Sequence, residues 1–250
     1  RQMCIRDRLV TILSLLIFIC GGYFFYRFME DYSYKTYLKD AKACYELQDY
    51  QCAISNSNLA EEFNSLGTEL MELKGDLFLN YYKKNQKAIY HYSLSIKGAV
   101  SIERKAELLF KRAKVYKQEG QLNNCIEDLL EASSADIDSV NLYLAEIFNY
   151  TEHDYPKAIR YYLKEKDDLG ESFVLSFGLG FAYYNNRDFD QAIFWFDKSL
   201  KLMPTSGESF YFRGLTYNSI NEQTKACKDY QKAIELDYSR AYINYQALCY

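Results

Sequence analysis

Proline, glycine and histidine are scarce. Two prolines and eleven glycines in 250 residues leave little material for long loops or for the many turns of a β-sandwich. Two histidines, His91 and His153, supply little metal-binding or acid–base chemistry. No G-x-S-x-G, H-E-x-x-H or glycine-rich phosphate loop occurs. The adjacent acids Glu61-Glu62 and Asp167-Asp168 read as solvated helix ends. Charge of one sign is not concentrated anywhere, and the net charge of −4 comes without a basic stripe, which excludes the usual nucleic-acid footprint. The expectation is therefore no enzyme: no catalytic residue, metal, cofactor, nucleic acid or small-molecule substrate. What the chain has in quantity is apolar surface, 49% of residues, too much for a disordered protein. Aromatics reach 17%, with 26 tyrosines.

The N-terminus divides into two parts. Residues 1–8, RQMCIRDR, match the translation of a transposon end used in sequencing libraries and are expected to be a scar rather than native sequence. Leu9 to Tyr26 then carry no charge, enough for a bilayer core, and Tyr23, Phe24, Phe25 and Tyr26 followed by Arg27 suit an interfacial belt. A single-pass anchor over residues 9–29 is expected, with membrane contact through 9–26. Two alternatives remain: a signal cleaved near Cys20-Gly21-Gly22, giving a secreted or periplasmic protein, or lipidation at Cys20, although Ile19 is a poor residue before it.

The rest of the chain repeats itself. Ala53, Ala88, Cys125, Ala158, Ala192 and Ala226 are spaced 35, 37, 33, 34 and 34 residues apart. Around these landmarks the same skeleton recurs, as in Gly180, Tyr183, Ala192 and Phe196, and again in Gly214, Tyr217, Ala226 and Tyr230. A period near 34 sustained six times marks a repeat array. Copies fall near 34–67, 68–105, 106–137, 138–172, 173–206 and 207–240, with a seventh opening at 241.

This pattern resembles the tetratricopeptide repeat family over residues 34 to 250. Small residues at the eighth and twentieth positions let two helices approach, and large ones at the eleventh and twenty-fourth fill the space beside them. The implied fold is all-α: about twelve antiparallel helices between Tyr34 and Tyr238 in a right-handed superhelical solenoid, without β-sheet. The second and fourth copies carry one extra residue at the inter-helix turn, Pro204 alone supplies the family's proline, and the fourth copy, with Ala145-Glu146, departs most. The seventh copy lacks its second helix, so a truncated C-terminus is expected.

Six cysteines remain outside the scar, and none forms a C-x-x-C. Cys125 takes a small core position and Cys44 the eleventh. Free core cysteines are expected, with Cys44 and Cys52 conceivable as a bonded pair because they lie on paired helices.

The resemblance further implies that positions 2, 5, 9 and 12 of each first helix face a concave groove. In the first half these are largely charged, among them Lys42, Glu69, Glu72, Asp76 and Lys114. In the second half they are aromatic and apolar: Phe177, Phe181, Tyr184, Tyr211, Leu215, Asn218, Tyr242 and Tyr245. The carboxylate clamp of chaperone-binding members is disfavoured, because acids stand where it needs asparagine. The implied function is a membrane-tethered, non-catalytic scaffold that binds a protein or peptide segment. The alternative is the sensory or scaffolding part of a larger signalling protein whose output domain lies beyond Tyr250.

Overall fold

The computed structural model describes the backbone of residues 5–135, 137, 139–169 and 172–249, and the side chains of residues 22–135, 137, 139–165 and 172–249. The chain forms two compact units, residues 1–135 and 136–250. Among the described residues every regular element is a helix.

The first unit contains α1 (Ile5–Glu46), α2 (Tyr50–Phe63), α3 (Thr68–Asn80), α4 (Asn85–Gly98), α5 (Ile102–Gln118) and α6 (Leu122–Ala132). The second contains α7 (Val140–Tyr150), α8 (Tyr155–Leu169), α9 (Phe173–Asn185), α10 (Phe189–Leu202), α11 (Gly207–Ser219), α12 (Gln223–Glu235) and α13 (Ala241–Cys249). Most of the apolar stretch 9–26 lies outside the residues whose side chains are described. Among those described, no helix is long and apolar enough to cross a membrane.

The period seen in the sequence is set by the turns. Each turn within a helix pair contains one residue in the left-handed region: Gln48, Lys83, Gly120, His153, Arg187 and Asn221, with φ between 52° and 71°. Each lies five residues before its landmark, so the turn and the close contact recur in one register. Only Gly120 adopts this conformation without a Cβ penalty. Asp49 and Asp188, the next residues in their turns, cap the second helices by accepting from Cys52 N and Gln191 N.

All six landmarks are fully buried. At the eighth position Gly180 lies against Phe196, where an added Cβ would meet the ring at 2.7 Å; Gly214 stands in the same relation to Tyr230, at 2.8 Å. The small residue on the first helix is what lets the large ring on the second lie flat against it. Ala192→Leu should overpack this contact and cost about 1–3 kcal/mol, read as a lower denaturation midpoint. An unchanged midpoint would contradict the packing.

Candidate protein-binding face

Two pairs of successive first helices, α3–α5 and α9–α11, meet through one geometry. In each pair the residue at the sixth position of the later repeat reaches back to the fifth and ninth positions of the repeat before it. In the first unit this residue is Lys111, whose Nζ lies 2.8 Å from Glu72 Oε1 and 2.8 Å from Asp76 Oδ2. In the second it is Phe212, whose ring centroid lies 5.9 Å from Phe177 and 5.1 Å from Phe181. One geometry thus carries two chemistries.

The charged version is internally satisfied. Glu72 also binds Arg104, Glu69 binds Lys42, and Asp76 Oδ1 accepts from Tyr92 Oη at 2.6 Å. Burial works against the charge on Lys111, but Asp76 and Glu72 outweigh it and hold its pKa above the ordinary lysine value. The hydrogen bond from Lys42 holds the Glu69 carboxyl below its usual range, against the opposing effect of burial. A cleft of about 210 Å³ lies among these groups, lined by Tyr45 and Leu73 as well. Of its charges, Lys42, Glu69, Glu72, Asp76 and Lys111 are in ion pairs.

The aromatic version is half open to solvent. Phe177, Phe181, Tyr184, Tyr211, Leu215, Asn218 and Tyr245 are all half-buried, and Tyr242 is 53% exposed. Phe177, Phe181, Tyr184 and Tyr211 converge on Phe212, at centroid distances between 5.1 and 6.4 Å. Phe181 also packs on Tyr150, and Tyr211 on Tyr230 and Tyr238. Leu215 and Tyr245 pack against the cluster around Tyr230. The expected wall is therefore partly a seam: these rings are too large to stand free of the next repeat. Tyr242 lies apart, its phenol oxygen accepting from Gln246 Nε2 at 2.6 Å. Phe212, the hub, was not expected from the sequence, because the sixth position is not a groove position in the family pattern.

A second recurrent element also escaped the sequence reading. Arg112 and Arg213, at the seventh position, each make a bidentate pair with the aspartate sixteen residues on, Asp128 and Asp229, at 2.7 and 2.8 Å. Arg213 also donates to Asp197 at 2.5 Å. Burial opposes the Arg213 charge, but these carboxylates outweigh it and raise its pKa. The pairs tie the two helices of one repeat together.

The cysteines correct an expectation. Cys44–Cys52 and Cys227–Cys249 form disulfides, each with Cα atoms 5.7 Å apart. Cys44 and Cys52 meet where two paired helices converge on their turn. Cys227 faces α13, so that bond joins α12 to the first helix of the seventh copy. Among the described cysteines only Cys125 follows the expectation, buried and unbonded, and burial pushes its thiol up to about 11. Among the described residues no group of three metal-ligating side chains is found.

Models of the tetratricopeptide repeat match residues 106–136, 175–206 and 207–240. Solved structures share the fold. The C-terminal part of a TPR repeat-containing protein from Cytophaga hutchinsonii is 20% identical, with 80% of this chain and 78% of that one covered and a TM-score of 0.67. Pseudomonas aeruginosa pilF is 14% identical, with 87% and 98% covered and a TM-score of 0.65. A tetratricopeptide repeat protein from Parabacteroides merdae is 14% identical, with 87% and 94% covered and a TM-score of 0.62. No curated protein matches. The matched segments, residues 106–136 and 175–240, are tetratricopeptide repeats, and repeats of this family generally mediate protein–protein interaction without catalysis.

Proposed function

We propose that this chain is a membrane-tethered, non-catalytic scaffold that captures a protein segment on the aromatic face of its second unit. The observation that carries the binding reading is the cluster around Phe212: large rings, half open to solvent, with Asn218 and Tyr242 on the same first-helix faces. Such a surface suits a peptide or helix with apolar anchors, its backbone contacted by phenol and amide groups. Lys42, Glu69, Glu72 and Asp76 of the first unit's groove are already in ion pairs, so they offer less to a ligand.

The tether rests on the uncharged stretch 9–26. Its last residues and those following stay uncovered: Tyr23, Phe24, Phe25 and Phe28 are 62%, 72%, 67% and 64% exposed. Two disulfides fit an oxidising compartment, which favours repeats on the non-cytosolic side of a single-pass anchor.

Binding is tested by capture of the partner from native membranes. Tyr184→Ala with Tyr242→Ala should weaken it by roughly thirtyfold, the 2 kcal/mol of a typical aromatic anchor. Added salt should change it little. Loss of capture on charge reversal at Lys42 and Lys114, with the tyrosine variant unaffected, would move the site to the first unit.

A further inference from the structure

The corners between helix pairs of the first unit carry apolar side chains that this unit leaves uncovered. Leu66, in the α2–α3 corner, is 68% exposed; Val100 and Ile102, in the α4–α5 corner, are 103% and 68% exposed. Their position relative to α1 gives them a meaning.

Helix α2 runs antiparallel to the second half of α1. Tyr45 packs on Tyr50 at one end, at 5.8 Å, and Tyr37 stacks on Phe63 at the other, at 5.9 Å. Phe63 and Asn64 line a cleft with Arg27, Glu30, Asp31 and Tyr34. The α2–α3 corner therefore sits beside residues 27–34, just past the end of the apolar stretch at Tyr26. Ser95 Oγ donates to Thr68 O at 2.7 Å, so α4 returns to the same edge and brings the α4–α5 corner next to the first. Helix α1 is continuous over Ile5–Glu46, with no linker between the apolar stretch and the first repeat.

At the helical rise, Tyr34, which meets the α2–α3 corner at Gly67, lies about 12 Å beyond Tyr26. The headgroup layer on each side of a bilayer core is about 5–7 Å deep. A helix that leaves the core at Tyr26 with the ordinary tilt of about 20°, leaning toward α2, brings the two corners down to the headgroup layer. Glu62, Lys97 and Glu103 border them, too mixed in sign to require an anionic surface.

We propose that the edge formed by Leu66, Val100 and Ile102 rests in the headgroup layer of a phospholipid bilayer, so that the first repeat is laid on the membrane rather than held away from it. This rests on the reading of residues 9–26 as an anchor. The aliphatic side chains insert among the lipid glycerol groups, where partial burial of apolar surface is favourable.

The test uses the full chain in phosphatidylcholine vesicles, with Cys4→Ser and Cys20→Ser and both disulfides kept oxidised. An NBD label is attached at Leu66→Cys, at Val100→Cys or, on the opposite edge, at Leu47→Cys, which starts from an 81% exposed residue. These sites are exposed, so labelling leaves the fold intact. Doxyl lipids should quench the label at 66 and at 100 several-fold more than at 47, with blue-shifted emission at the first two. Equal quenching at all three sites, in protein that floats with the vesicles, would overturn the membrane-resting edge alone. Failure to float would overturn the anchor and this inference with it.

Discussion

Arg213→Ala is expected to lower the stability of the second unit by about 3 kcal/mol. The side chain of Asp229 is only 8% exposed, and truncation of Arg213 removes both of its guanidinium hydrogen bonds. A carboxylate left there must stay charged without a partner or take up a proton; either is unfavourable. Asp197 loses a partner as well. The fifth repeat carries Leu179 and Trp195 at the same two positions, both buried, so the same site tolerates an apolar pair. Arg213→Leu with Asp229→Trp should therefore recover most of the loss. Urea denaturation of the three proteins measures both effects. A neutral Arg213→Ala would show that water replaces the pair at little cost.

Opening the Cys227–Cys249 bond should have an effect of similar size. The bond closes a 22-residue separation, and on the chain-entropy model such a cross-link contributes about 3 kcal/mol. Helix α13 has only nine residues, marginal on its own in water, so its order depends on attachment to α12. Cys249→Ser should speed amide exchange across α13 while leaving α9 to α11 protected. The Cys44–Cys52 bond closes only eight residues and should matter less. In the folded, reduced chain Cys125 should resist iodoacetamide near neutral pH, because its thiol stays protonated as well as buried. Unchanged exchange in α13 would mean that packing of Ala241 and Leu248 suffices to hold it.

The repeat period was legible because it is imposed by positions that tolerate few residue types: the buried small landmark and the ring lying against an eighth-position glycine. The helix-pair order followed from that alone. The sixth-position contact was not legible. That position holds Leu73, Lys111, Tyr143, Gly178 and Phe212 in the second to sixth copies, so it has no compositional signature. What Lys111 and Phe212 share is only which neighbours they meet. The Arg–Asp pairs were readable in principle from their common spacing of sixteen, but only the third and sixth copies carry them. Of the disulfides, Cys44–Cys52 was visible only as one possibility and Cys227–Cys249 not at all, because whether two thiols can bond depends on the direction of their Cβ atoms, which residue spacing does not give. The aromatic side chains of the second unit were visible as a set. Their division between seam and open face was not, because half-burial arises between repeats.

The central claim is that the aromatic face of the second unit is where a protein segment binds. It is tested most directly by site-specific photo-crosslinking of the full chain in its native membrane. A photoreactive phenylalanine replaces Tyr184 or Tyr242 on the inner face, or Phe194, which is 48% exposed on α10. Discrete protein adducts from 184 and 242, absent at 194, are the predicted result. Adducts of equal strength from 194, or none from the inner face, would contradict it.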